Sequence, residues 1–428
     1  MKRLAVSALL CATLATGALV GCNGFANAET TNSANGSDDA TATIVSSHAD
    51  GILDTSDLFT DRDLQQVADL YNASDITISS GQDNTLSEEG VYVISGTAEN
   101  ATIAVNAEDT AKVQLVLDGL NITNESAPAI YIASADKVFV TTTEGSTNTL
   151  AVTDAFTSTT EDNVDGVVFS KDDITFGGLG TLAISSSDNG IVGKDDVKVT
   201  GGTYQISCSG HAIEGKDSVR IADGSFQLTA FTDGIHAENA DDDSLGYVYI
   251  AGGMFDITAG SDGIEGDAAV QIDGGTFNIE AAEGIEGTYV QINDGTIGIS
   301  ASDDGINAAC KSTSYSVAIE INGGDVSVSM GQGDTDALDS NGDLFINGGT
   351  VDITAQFPFD YDGQGQLNGG TVTVNGEQVS ELTNQMMGGM GGMGGGMGGG
   401  PMGDGQMGHN PMDGGMMPPD GTQPQNTQ

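Results

Sequence analysis

Residues 262–282, DGIEGDAAVQIDGGTFNIEAA, are followed directly by residues 283–303, EGIEGTYVQINDGTIGISASD. The two stretches are one 21-residue unit written twice: acid-Gly-Ile-Glu-Gly, a short β run (Val270-Gln271-Ile272), a turn, and a second β run (Thr276 to Ile279). Outward from this pair, further copies begin at Asp165, Asn189, His211, Asp233, Asp304 and Asp336, and a degenerate one has Phe359-Asp360 in the Ile-Glu place. With Asp262 and Glu283 included, the starts are 24, 22, 22, 29, 21, 21 and 32 residues apart, a basic period of 21–22 with two insertions. A unit this short cannot bury an apolar face alone, so stacked neighbours must make the core.

Aligned, the units form columns. The Ile place holds Val167, Ile191, Ile213, Ile235, Ile264, Ile285, Ile306, Leu338 and Phe359, predicted to point inward together with pairs such as Val197/Val199, Val219/Ile221, Val270/Ile272 and Phe277/Ile279. Gly pairs at 201–202, 274–275, 323–324, 348–349 and 369–370 mark a corner that needs positive φ. Asn293, Asn322, Asn347 and Asn368 precede that corner and are predicted to stack as a ladder satisfying backbone groups at the turn. Period, glycine corners and β-branched runs predict an all-β fold, a right-handed parallel β-helix. A nine-residue calcium roll is excluded by the period, and a leucine-rich horseshoe by the scarcity of Leu and of any helical segment per unit.

The rest of the chain is entry, cap and tail. Residues 1–21 have a basic start (Lys2, Arg3) and an apolar run of signal-peptide length, too short for a convincing membrane span. Leu19-Val20-Gly21-Cys22 resembles a bacterial lipobox, which makes Cys22 the lipidated first residue and places the protein, lipid-anchored, on the extracellular face of the cell membrane. Cleavage after Ala26-Asn27-Ala28 would instead secrete it. Residues 22–56 read as a disordered linker. In 57–74, Leu58, Leu64, Val67, Leu70 and Tyr71 fall at helical spacing and predict a short amphipathic helix capping the first coil. From Ile76 the pattern alternates by twos, so irregular N-terminal coils precede the regular ones, and the β-helix is assigned to 75–385. Residues 386–428 hold ten of the 13 methionines in a Gly-rich tail that cannot bury a core, a low-complexity segment rather than a Cu(I) site. Cys208 and Cys310 sit about five coils apart, over ~20 Å, too far for a disulfide, and are expected to be buried free thiols.

The formal charge is −51. Without residues 1–21, which carry Lys2 and Arg3, it is −51 − 2 = −53. Such a surface repels nucleic acid and anionic lipid and attracts cations. Two columns concentrate the acids. Two residues before the inward Ile stand Asp165, Asp233, Asp262, Glu283, Asp304 and Asp336, with Asn189 and His211 in the other coils. Directly after it stand Glu214, Glu265, Glu286, Asp339 and Asp360, with His236 and Asn307 interrupting. Carboxylates one rung apart, ~4.8 Å, repel one another and raise their own pKa values. Calcium, which takes 6–8 oxygens in flexible geometry, relieves this. The candidate ligands are Asp233, Asp262, Glu265, Glu283, Glu286, Asp304, Asp336 and Asp339. The plainer reading is a solvated acidic face. Zinc is not expected, because His211 and His236 lack partners at zinc spacing. Among the few cations, Lys171, Lys194 and Lys216 fall in one place of three successive coils and Arg220 follows, forming either an ion-pair ladder or a basic strip for a carboxylated sugar chain.

LFTDRDL (58–64), GVYVISGTAENATIAVNAED (90–109), KVQLVLDGLNIT (112–123), AIYIASADKVFV (129–140), STNTL (146–150), SKDDITFGGLGTLAI (170–184), NGIVGKDDVKVTGGTY (189–204), HAIEGKDSVRI (211–221), DGIHAEN (233–239) and GYVYIAGGMFDITAGSDGIEG (246–266) together carry a resemblance. The chain resembles the calcium-containing carbohydrate-binding β-helix lipoproteins of clostridial type, reported to bind polygalacturonate and cellulose. The resemblance runs from residue 57 to about 375 and implies a pectate-lyase-like solenoid, bound calcium and glycan binding without established catalysis. Asn189 and His211 in the acid column, and Phe357-Pro358 in the last coil, depart from it and weaken the case for calcium at those rungs.

The function expected is therefore a non-catalytic, monomeric surface lipoprotein that binds plant-type polysaccharide. Polygalacturonate is favoured over a flat crystalline glycan because Trp is absent; Tyr204, Tyr247 and Tyr249 are the aromatic candidates, with Tyr204 placed in the core. One alternative is a pectate-lyase-like enzyme using Lys194, Lys216 or Arg220 as the base of a β-elimination. The other is a rigid stalk or adhesin.

Overall fold

The computed structural model describes residues 51–157, 163–333 and 335–385. The signal segment, Cys22, all but the last residues of the linker and the Gly/Met tail lie outside them. Among the described residues are 34 strands and no α-helix. Each regular coil lays down three strands, and each strand pairs in parallel with its counterparts in the coils before and after, so three parallel sheets run the length of the stack. In the quoted pair, Asp262–Ile272 and Glu283–Ile292 each turn from the first sheet into the second, while Thr276–Ala281 and Thr296–Ala301 lie in the third. Residues 74–152 join the same three sheets. The fold is a parallel β-helix.

The register matches the columns. Ile213, Ile235, Ile264, Ile285, Ile306, Leu338 and Phe359 pair in succession and are buried. On the third sheet the rings of Tyr204, Phe226, Phe255 and Phe277 stack inside the core, with centroids 5.2, 4.6 and 4.5 Å apart. The first Gly of acid-Gly-Ile has a steric cause unrelated to positive φ. A Cβ on Gly263 would stand 2.6 Å from the carbonyl oxygen of Gly284, and one on Gly284 would stand 2.3 Å from that of Gly305. Coils stack too closely there for a side chain, so the repeat writes glycine. At the corner, positive φ belongs to the second member of each pair, as at Gly202 (99°) and Gly275 (113°).

The asparagine ladder forms, but between side chains rather than to backbone. Asn322 donates to Asn293 (2.9 Å), Asn347 to Asn322 (2.7 Å) and Asn368 to Asn347 (2.8 Å), while Asn293 donates to Asp273 (2.7 Å). At the C-terminal end Thr371–Val374 folds back antiparallel on Glu377–Val379, which closes the last sheet edge against further pairing. Cys208 and Cys310 are free thiols, but neither is fully buried: Cys208, at the end of its strand, is half-buried, and Cys310 is exposed on the insertion after the coil of Asp304.

The expected capping helix at 57–74 is absent. Residues 52–66 instead form an irregular strap, with one turn at Thr60–Leu64, across the outside of the second sheet. Ile52 N–H donates to Gln291 Oε1 (3.0 Å) and Leu53 N–H to Gln271 Oε1 (2.9 Å). Leu58 packs on Tyr247, Tyr249 and Tyr289, and the Arg62 guanidinium lies 4.1 Å from the Phe139 ring centre. Asp63, its side chain fully buried, pairs with Lys137 at 2.7 Å, and Gln66 bridges Thr200 and Gly178. Gln291, Gln271, Tyr249, Arg220, Lys198 and Thr175 are successive rungs. Five steps at ~4.8 Å make ~24 Å, within the ~36 Å that eleven residues (63 − 52) can span. In place of a helix, Gln66 and the Asp63 carbonyl are tied to the second sheet, where Thr200 Oγ1 donates to Asp63 O at 2.6 Å and Gln66 Nε2 to Thr200 O at 2.9 Å. Leu64, Val67, Leu70 and Tyr71 are left exposed.

Candidate functional site

The outer face of the first sheet carries both acid columns. Glu214, His236, Glu265, Glu286, Asn307, Asp339 and Asp360 pair rung by rung. The other column follows the same stacking: Asp262 pairs with Glu283, Gly234 N–H donates to Asp262 O, Gly284 N–H to Asp304 O and Gly305 N–H to Asp336 O. Strand alternation puts the Ile in the core and the acid directly after it outside; the acid two residues before the Ile shares its parity, yet Asp262 has a carboxylate oxygen within 4.8 Å of those of Glu265 and Glu286, on the same outer face.

The middle of this face is a charge chain rather than a bare acid patch. His211 Nδ1 lies 2.7 Å from Asp233, and His236 Nδ1 is shared between Asp233 (3.1 Å) and Glu265 (2.8 Å). The two imidazoles stack with centroids 4.4 Å apart. Lys311 binds Glu265 and Glu286 together and approaches Asp267 at 3.9 Å. Burial opposes charge on Asp233, but hydrogen bonds from His211, His236 and the Asp262 N–H outweigh it and hold this carboxyl far below the usual range. Burial likewise opposes the His236 imidazolium, yet Asp233 and Glu265 raise it to about 10. Glu265, buried too, is held low by His236 and Lys311.

Beside this chain stand acids pushed the other way. Burial, then the charges of Asp233, Glu265, Glu283 and Glu286, raise Asp262 to about 8. Glu286 rises to about 7, chiefly by burial and against the pull of Lys311. Burial raises Glu283, and it lifts Asp304 and Asp339 to about 6. One oxygen each from Asp262, Glu283 and Glu286 lies within 4.8 Å of the others, and the triads Asp233/Asp262/Glu265 and His211/Asp233/His236 meet the same spacing. Asn307 donates to Glu283 (2.9 Å) and Glu286 (3.3 Å), while its own buried Oδ1 accepts no hydrogen bond.

Of the predicted calcium ligands, then, Asp262, Glu283 and Glu286 share one oxygen-rich place, although Glu286 also holds Lys311. Asp233 and Glu265 border it but are committed to cations of the chain itself. Asp304 lies one rung on, its carboxylate accepting from Asp336 N–H (3.1 Å), and Asp339 is farther along, beside Asp360. Lys171, Lys194 and Lys216 stack at one corner, where Lys194 N–H donates to Ser170 O and Lys216 N–H to Gly193 O. Lys194 pairs with Glu214 (3.1 Å) and Lys216 with Asp241. Arg220 stands apart on the second sheet, half-buried, bound to Asp196 at 2.8 Å and close to Tyr247. Tyr247 and Tyr249 are buried against the strap and Tyr204 is in the core, so none of the three offers a sugar platform.

A family described as carbohydrate-binding domain-containing protein matches residues 80–337. The chain belongs to that family. A relative of the same description from Acetivibrio thermocellus is 38% identical over 122 residues, which are 27% of this chain and 42% of the relative. The matched stretch is thus less than half the relative's length. A solved structure described as the polysaccharide lyase-like protein from C. thermocellum, a gadolinium derivative, is 29% identical, with a TM-score of 0.44 over 49% of this chain and 92% of its own. The family match spans every rung of the acid face from Asp165 to Asp336.

These shifts set a pH dependence. An acid whose folded pKa is raised destabilises the fold in full above that value, and the penalty fades as pH falls from there to the unfolded value. His236, raised, contributes stability in full below the unfolded value of 6.5 and loses it as pH rises through about 10. Both terms point the same way, so in chelator the urea midpoint is expected to fall as pH rises from 5 to 8. A profile that rises over that interval would contradict the charge arrangement described.

Proposed function

We propose that the protein binds an acidic polysaccharide of the polygalacturonate type through the outer face of the first sheet, with a divalent cation ordering the acids there. The observation that carries the reading is the place formed by Asp262, Glu283 and Glu286, with carboxylate oxygens within 4.8 Å and two of the three acids pushed up to about 8 and about 7. Such a set stores repulsion that a hard cation removes. Its donors are all carboxylate oxygens, which suits calcium better than a softer metal. A bound calcium would supply open positions for uronate carboxylates. The chain's own residues hold the acids in place, with Lys311 and His236 fixing Glu265 and Glu286 from the side.

We read the role as binding without catalysis. A β-elimination base must be able to shed its proton, whereas Lys194 and Arg220 are each tied into an ion pair and Lys216 is raised by its hydrogen bond to Asp241. Burial lowers Lys198, but that lysine is on the second sheet, 6% exposed. Lipid anchoring at Cys22 on the outer cell surface, and a monomeric state, belong to the same proposal.

The test is retention of the protein on immobilised polygalacturonate in calcium and in chelator, with unsaturated product followed by its ultraviolet absorbance. Calcium-dependent retention without product is expected. Growing absorbance would make the protein a lyase, and no retention in either buffer would leave a spacer.

A further inference from the structure

The two histidines that interrupt the acid columns interrupt them side by side. His211 stands one coil before Asp233 in one column, and His236 lies between Glu214 and Glu265 in the other. The chain has four histidines, and these two meet with ring centroids 4.4 Å apart. Both turn Nδ1 toward one carboxylate oxygen: Asp233 Oδ2 stands 2.7 Å from that of His211 and 3.1 Å from that of His236. Glu265 Oε2 closes the group, 2.8 Å from His236 Nδ1, while Glu265 Oε1 stays with Lys311. Two imidazole nitrogens and two carboxylate oxygens thus converge from three successive coils. No zinc spacing is present in the sequence because stacking, not the local chain, brings the donors together.

An ordinary ion pair leaves part of this arrangement unexplained. The His211 Nδ1 is buried, yet the Asp233 oxygen is out of line for it, so it makes no well-directed hydrogen bond. The far nitrogen of His236 faces Glu238 Oε2 at 3.7 Å, the carboxylate-behind-imidazole order that orients histidine ligands of metals. Ligands about 2.0–2.2 Å from one ion stand roughly 3–3.5 Å from each other, so the contacts need open by only a few tenths of an ångström. The ring planes are inclined by 27°, and the His211 ring, its side chain 25% exposed, must turn to aim Nδ1 at the common point. The ion takes the position of the proton that His236 shares between Asp233 and Glu265, a double charge in place of a single one among the same donors. Imidazole donors suit zinc, nickel or copper(II), whereas calcium takes oxygens.

We propose that His211, Asp233, His236 and Glu265 form a binding site for a divalent transition ion of the zinc type, separate from the carboxylate place of Asp262, Glu283 and Glu286. The site stands on its own donors and is independent of the polysaccharide reading.

Full-length protein is titrated calorimetrically with zinc chloride in excess calcium, so that the carboxylate place is offered its own ion, as wild type, His211→Ala and His236→Gln. His211→Ala leaves His236 between Asp233 and Glu265, so the charge chain survives it. Wild type should bind one zinc ion that each variant weakens at least tenfold, or ~1.4 kcal/mol. Zinc should also raise the melting temperature of wild type more than that of either variant, and cobalt(II) in its place should give a visible absorption band that His211→Ala abolishes. Zinc that binds wild type and both variants alike lies elsewhere in the chain and overturns the site. An effect of His236→Gln without one of His211→Ala overturns it too, because a merely structural histidine gives that result. Wild type that binds no zinc overturns it outright.

Discussion

Replacing Asp63 by alanine is expected to cost about 3–5 kcal/mol of stability. The carboxylate is completely buried and accepts from Lys137 (2.7 Å), Thr60 N–H (2.9 Å) and Thr175 Oγ1 (3.3 Å). Lys137 is itself 8% exposed, so the variant strands a buried ammonium, and a stranded charge costs far more than the pair contributes. Double replacement with Lys137→Met should recover most of the loss, because no unpaired charge remains. Burial opposes the carboxylate, but Lys137 and Thr60 hold its pKa below 3.8. Its contribution is present above that value and disappears as pH falls through the lower folded value. A urea midpoint for the alanine variant equal to wild type would show that the strap contributes nothing to the fold.

The second large effect is expected at Lys311. Methionine there keeps the stem length and removes the charge that lies between Glu265 and Glu286, both only 9% exposed at the side chain. In chelator the loss should be about 1–3 kcal/mol, less than for a stranded charge, because Glu265 keeps His236 and Glu286, raised to about 7, can take up a proton. Added calcium should return much of it in the variant and less in wild type, since the variant's acids have lost their resident cation. Equal calcium responses in the two proteins would argue that Lys311 and the cation place are independent.

Most of the coil architecture was legible because stacking forces every coil to solve the same steric problem. The inward Ile and the glycine that Gly263 and Gly284 represent recur for that reason, and the acids hold register because their neighbours do. What could not be read lies outside the repeat. Lys311 belongs to the insertion between the coils of Asp304 and Asp336, where column alignment has no place for it, so the acid face looked barer than it is. Asp63 and Lys137 are 74 residues apart (137 − 63) and meet only because the chain doubles back over the second sheet. Leu64, Val67 and Leu70 have helical spacing, but Asp63 and Gln66 are tied to distant rungs of the second sheet, and no apolar surface covers the stripe, which stays exposed. The tyrosines at 247 and 249 looked like ligand contacts because nothing in the pattern says that Leu58 covers them.

The strap also decides how the molecule carries load. A pull on the chain ahead of residue 51 reaches Ile52 and Leu53 before any coil, and their single hydrogen bonds to Gln291 and Gln271 lie in series. They open one after another, as a zip does, until the tension meets the Asp63 knot. Behind it each coil is held by ladders of parallel bonds that share force, so the strap is the sacrificial link that yields while the solenoid keeps its shape.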